Sequence, residues 1–142
     1  MMVSESLVRS ILTLKEKSSG KSTNLPLASD AEIIEVERFL GFELSDDHKF
    51  FLKNASNIFY GQQDIVYVGS ANFYGNLQSV VEEARALGLP HDWLPISVEN
   101  GNYYCVCRDG MVRYFSLDGE ADESWESIAD WVDRVWVGEA CS

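Results

Sequence analysis

Cys105 and Cys107 flank a single valine, so on an extended strand both thiols project to one side, a disposition that could serve a metal ion or a redox couple. His48 and His91 are the remaining side chains of ligating type. A structural zinc asks for four ligands in tightly spaced pairs, and neither histidine falls at such a spacing. Cysteine is among the most often buried residues, so the pair is expected to pack in the core. His48 is expected on the flank of a helix as a surface residue, and His91 in a loop beside Pro90. The adjacent acids Glu82-Glu83 and Asp122-Glu123 would point apart on a helix or loop, which suits neither general acid nor general base work. The sequence holds no Gly-rich phosphate loop, nucleophile elbow or metal-binding helix motif. A non-catalytic protein without metal or cofactor is the expectation.

What the chain does carry is acid and aromatic surface. Its 142 residues hold 11 Lys plus Arg against 23 Asp plus Glu, a net charge of -12. Only Arg85, Arg108, Arg113 and Arg134 are basic after residue 60, and between Arg113 and Arg134 every charged residue is acidic: Asp118, Glu120, Asp122, Glu123, Glu126, Asp130 and Asp133. Nucleic-acid binding needs clustered cations that release counterions, so it is excluded. The acidic stretch reads either as a solvated face or as a docking face for a basic protein. Tyr74, Trp93, Tyr104, Phe115 and Trp131 are the aromatic candidates for interface anchors. There is no apolar run of membrane-spanning length and no secretory leader pattern, and the three cysteines form an odd set, so a cytoplasmic protein with reduced thiols is expected.

Several elements must position these side chains. Leu7, Ile11 and Leu14 recur at helical spacing over residues 4 to 17, which predicts an amphipathic helix, read as an appended arm. A small polar linker follows, so the chain divides into an N-terminal helical arm and linker at 1–24 and a main domain at 25–142. Ser29 with Glu32 has capping-box spacing ahead of Ile33, Val36, Phe39 and Leu40, and Gly41 suits the helix stop. A second helix starts at Ser45 and a third at Asn76, with short strands expected at 58–60 and 65–68. Asn100-Gly101 and Asp109-Gly110 favour two-residue hairpin turns, which predicts a three-stranded meander over 94–117. In that register Val98, Ile96 and Leu94 face Tyr103, Cys105 and Cys107, and Cys107 and Cys105 face Val112 and Tyr114. Ser97, Glu99, Tyr104, Val106, Arg108, Arg113 and Phe115 then form the opposite, mixed surface. A last helix is expected from about residues 122 to 124 onward, with Trp125, Ile128, Val132 and Trp136 on its buried stripe and Trp131 partly exposed.

Three stretches carry a family resemblance. ASDAEIIEVERFLGFELSDDHKFFLKNAS resembles the opening of the SUKH superfamily, the Smi/Knr-type domains, WLPISVENGNYYCVCRDGMVRYFSLDG is similar to that family's later sheet, and ESWESIADWVDRV fits its closing helix. Ser45 stands where proline is usual and His48 where an aromatic is usual, and Ala55-Ser56-Asn57 replaces the common Asn-Gly-Gly, so local turns are expected to differ. The resemblance implies an α+β fold, an antiparallel sheet with a central meander packed on one face by several helices. It also implies a binding function, either that of an immunity protein that occludes a secreted toxin, often a nuclease, or that of a regulatory interaction module. On that basis the expected partner-binding set is Glu99, Tyr104, Arg113, Phe115, Asp118, Glu120, Asp122, Glu123 and Trp131, facing a basic toxin domain.

Overall fold

The computed structural model describes residues 3–19, 21, 27–58, 60–61, 63–68, 76–99, 101–116 and 123–138. Three helices come first. α1 (Glu5–Lys17) starts at Ser4, whose hydroxyl accepts the amide of Leu7. α2 (Asp30–Leu40) has both halves of the capping box between Ser29 and Glu32, and it stops at Gly41, whose φ of 85° is a left-handed conformation that costs glycine nothing. α3 (Asp46–Asn54) is capped by Ser45 and buries His48, Phe51 and Leu52. A short strand, β1 (Asp64–Ile65), precedes α4 (Leu77–Ala86), which Asn76 caps and which buries Leu77, Val80, Val81 and Ala84.

β2 (Leu94–Glu99), β3 (Asn102–Val106), β4 (Val112–Phe115) and β5 (Ser124–Trp125) complete a five-stranded antiparallel sheet in the order β1-β2-β3-β4-β5. The class is therefore the expected α+β, with the meander at its centre. Of the strand expected at 65–68, Ile65 lies in the ladder with β2, Val66 N donates to Ile96 O, Tyr67 forms an isolated bridge with Asn76, and Val66, Tyr67 and Val68 are buried.

α1 is no arm. Leu7 and Leu14 are fully buried and Ile11 nearly so, and the Ser10 hydroxyl lies 3.5 Å from the carbonyl of Ala129. Burying three such side chains is worth roughly 1.5–3 kcal/mol each, so the first helix is a structural member of the domain rather than an appendage to it. Amphipathic spacing shows that a helix has an apolar side; it does not show what covers that side.

The meander differs from the expected register by one residue in two places. At the first hairpin Glu99 pairs with Asn102, Val98 with Tyr103 and Ser97 with Tyr104 as expected, but Pro95 then pairs with Cys105 and Leu94 with Val106, leaving Ile96 as a bulge. Proline has no N–H for the ladder, and a bulge beside it spares the mismatch. Ile96 is fully buried, and its carbonyl accepts the amide of Val66 at 3.0 Å. At the second hairpin Cys107 N donates to Met111 O and Gly110 N to Cys107 O, which closes a three-residue loop with Gly110 at φ 87°. Cys105 therefore pairs with Arg113, and Tyr104 with Tyr114.

Because side chains alternate, a slip of one residue exchanges the faces. Tyr104, Val106, Val112 and Tyr114 share a side with Trp125, whereas Tyr103, Cys105, Arg113 and Phe115 share the other. Every residue from Tyr103 to Val106 is buried.

The last helix also starts later than expected, because Ser124 and Trp125 pair with β4. α5 (Ile128–Trp131) begins behind Ser127, which accepts the amide of Asp130, and continues as a wider π-helical stretch over Val132–Val137. Trp131 and Trp136 both meet Phe51 edge-on, with centroids 6.4 and 6.0 Å away. The Trp136 indole N–H donates to Tyr60 O at 2.9 Å.

Candidate interaction site

Two of the expected anchors are core residues. Trp131 has no exposed surface, because its indole packs against Phe51 of α3, Tyr104 of β3 and Trp136. Tyr104 is 4% exposed and packs its ring 5.4 Å from Trp131 and 4.9 Å from Tyr114. Its hydroxyl donates to Glu99 Oε2 at 2.9 Å. Glu99 Oε1 accepts from Gln63 at 3.2 Å, and Gln63 Oε1 accepts from Ser97 at 2.6 Å. The structure thus brings Glu99 and Tyr104 together, but as a network that closes one end of the sheet. The buried indole N–H of Trp131 has no hydrogen-bond partner among the described residues.

The rest of the expected set is scattered. Phe115 is half-buried against Tyr103, with centroids 6.3 Å apart. Arg113 forms a two-pronged ion pair with Asp109, at 3.1 and 2.8 Å, which holds the Asp109 carboxyl below its ordinary range. Glu123 is exposed, as are Glu126 and Asp133, while Asp130 pairs with Arg134 at 2.7 Å. Asp118, Glu120 and Asp122 lie outside the described residues, as do Tyr74 and Cys141.

The two thiols separate in character. Cys105 is fully buried, and burial pushes its thiol well above the ordinary value. Cys107 has left the strand and is half-buried; burial raises its thiol too, opposed by the nearby Arg113 guanidinium. No group of His, Cys, Asp and Glu suited to a metal ion occurs among the described residues.

A concave surface lies elsewhere among the described residues, where the α2–α3 loop meets the ends of the meander. A cleft of about 380 Å³ is lined by Phe42, Glu43, Leu44, Ser45 and His48 on one side, and by Asp92, Leu94, Val106, Cys107 and Arg108 on the other. Ser45 and Val106 also line a neighbouring hollow of about 260 Å³ that reaches Ser4, Asp46, Asp47, Gly110 and Ile128. Leu44, Leu94 and Val106 are buried beneath it, while Glu43, Asp92 and Arg108 stand exposed at the rim. The Arg108 guanidinium sits 4.7 Å from the centre of the Phe42 ring, a cation–π contact.

His48 belongs to this region and corrects the surface expectation. It is 1% exposed, its Nε2 has no hydrogen-bond partner among the described residues, and burial lowers its pKa to about 4. The signal was present: His48, Phe51 and Leu52 stand at i, i+3 and i+4, on one face of α3. Nothing in the sequence marked Phe42, Asp92 and Arg108 as neighbours, because three separate connections bring them together.

This fold also appears in known proteins. A family model described as SUKH_5, SMI1-KNR4 cell-wall, matches residues 7–137. The chain belongs to that family, within the SUKH superfamily. The match begins inside α1, in agreement with the burial of that helix. A crystal structure of a protein from Pseudomonas syringae pv. tomato is similar, with a TM-score of 0.81 and 30% sequence identity over 92% of this chain and 98% of that one. No curated protein matches the chain significantly. Among the described residues no helix is long and apolar enough to cross a membrane.

Proposed function

We propose that the chain is a non-catalytic, cytoplasmic protein-binding domain, an immunity protein that captures a basic secreted toxin domain and occludes its working surface. The observation that carries the reading is the charge distribution on a domain of this family: of the net -12, residues 61 to 142 contribute four basic against fourteen acidic side chains, and Glu123, Glu126 and Asp133 project into solvent. Such a field speeds the capture of a cationic partner, most strongly at low salt. Occlusion needs no group that turns over, and the titratable groups with shifted pKa are accounted for by burial or by ion pairs rather than by a convergent reactive centre.

The test is co-expression with the toxin-like product of the neighbouring gene. Growth rescue and a complex that survives purification are expected; undiminished toxicity together with no complex refutes the reading. The words "cell-wall" in the family description favour a second reading, a regulatory interaction module, for which several weak partners and no adjacent toxin gene are expected.

A further inference from the structure

We propose that the groove between the α2–α3 loop and the end of the meander is a peptide-docking site, which receives an extended segment of the protein partner through one apolar side chain and one adjacent Lys or Arg. The inference deepens the protein-binding reading above and rests on it for the identity of the partner.

Two observations point to that occupant. The floor is apolar: Leu44, Leu94 and Val106 are buried yet line a cleft of about 380 Å³, within the range of small ligand pockets. Its rim is mainly acidic. Glu43 and Asp92 are exposed on the cleft itself, and Asp46 and Asp47 line the hollow that continues it past Ser45. Among the described residues Arg108 is the single cationic side chain lining either hollow, and its guanidinium sits over the ring of Phe42. An anionic segment would meet several carboxylates and one guanidinium. A cationic segment meets the reverse, and its own guanidinium or ammonium can compete with Arg108 for the face of Phe42.

Arg108 thus has a definite role, as a guard that an incoming cation displaces. Removing it leaves the acidic rim and the aromatic face open, so a cationic ligand should bind more tightly, whereas the loss of a direct contact would weaken binding.

The probe is the blocked pentapeptide Gly-Leu-Arg-Leu-Gly, with Gly-Leu-Glu-Leu-Gly and Gly-Gly-Arg-Gly-Gly as controls, titrated into the isotope-labelled full chain and followed by amide chemical shifts. Shifts are expected at residues 42–48, 92–94 and 106–110 with the first peptide, and much weaker ones with either control. Single reversals of exposed rim charges, Glu43→Lys and Asp92→Lys, should weaken binding by about threefold to tenfold, and Arg108→Glu should tighten it by a similar factor. Glu16→Lys, in the last turn of α1, should leave it unchanged. Each variant replaces an exposed or half-solvated group, and its unperturbed remaining amide spectrum certifies the fold.

Shifts spread along 123–133, equal binding of all three peptides, or equal weakening by every charge reversal would overturn the site. The two readings fail separately. A toxin complex indifferent to Asp92→Lys and Arg108→Glu removes the groove and keeps the immunity function. Groove-specific peptide binding with no toxin complex does the converse.

Discussion

Acidification should destabilise this protein through His48. The imidazole is buried, its Nε2 has no hydrogen-bond partner among the described residues, and burial lowers its pKa from the ordinary 6.5 to about 4. An unfolded chain therefore takes up a proton near pH 6.5 that the folded chain refuses until about pH 4, so stability is full above the first value and is lost as pH falls toward the second. At about 1.36 kcal/mol per pH unit, the loss amounts to about 2 kcal/mol by about pH 5 and about 3 kcal/mol once both states are protonated. That is a large share of the ~5–15 kcal/mol of a typical domain. Urea unfolding between about pH 8 and pH 5 measures it directly, and His48→Leu supplies the comparison, because the two chains differ in no other titratable group. The wild-type midpoint should fall by the equivalent of about 2 kcal/mol more than the variant's over that interval. Parallel curves would mean that His48 is solvated or partnered, and the argument from its burial would fail.

Other outcomes come from the packing. Leu7→Ala or Leu14→Ala should cost about 2–5 kcal/mol in a denaturant melt, since each leaves a cavity under α1; less than about 0.5 kcal/mol would restore the view of that helix as an arm. Ser29→Ala should cost about 1 kcal/mol by removing half of the capping box, read from the same melts. In a Cys141→Ser background, a thiol reagent should modify Cys107 slowly in the native protein and Cys105 only at the rate of unfolding; equal rates at the two would contradict the difference in their burial. Gly110→Ala should destabilise by about 1 kcal/mol, because the turn holds this residue at φ 87° although the space around it is open.

Local signals in the sequence translated well into structure. Ser29 and Glu32, Ser45, Asn76 and Gly41 mark helix ends through side-chain and backbone geometry that needs no distant partner, and each stands where its chemistry placed it. Asn100-Gly101 likewise delivered the first hairpin. What escaped was set by contacts between distant segments. Asp109-Gly110 fits a two-residue or a three-residue loop equally well, and the choice of the longer one exchanged the faces of β4 and carried Tyr104 inward. The bulge at Ile96 arises from Pro95 in mid-strand, a clue that alternation alone ignores. Trp131 is hidden by Phe51 and Tyr104, which come from two elements well back along the chain, and α1 meets α5 across 119 residues, at Ser10 and Ala129. The groove joins three connections, so it existed in no single stretch of sequence.

The π-helical stretch at Val132–Val137 has a consequence for how this chain tolerates insertion and deletion. In a regular α-helix five residues turn through about 500°, which would set Trp131 and Trp136 about 140° apart. Each wider turn takes in an additional residue, and that brings both indoles round to the single ring of Phe51. The local frame of the last helix is thus counted in fives, and removal of one residue between the two tryptophans would return it to fours. Trp136 would then leave the carbonyl of Tyr60 and lose its hold on the segment that leads into β1. Relatives one residue shorter at this point must therefore anchor that segment by some other side chain.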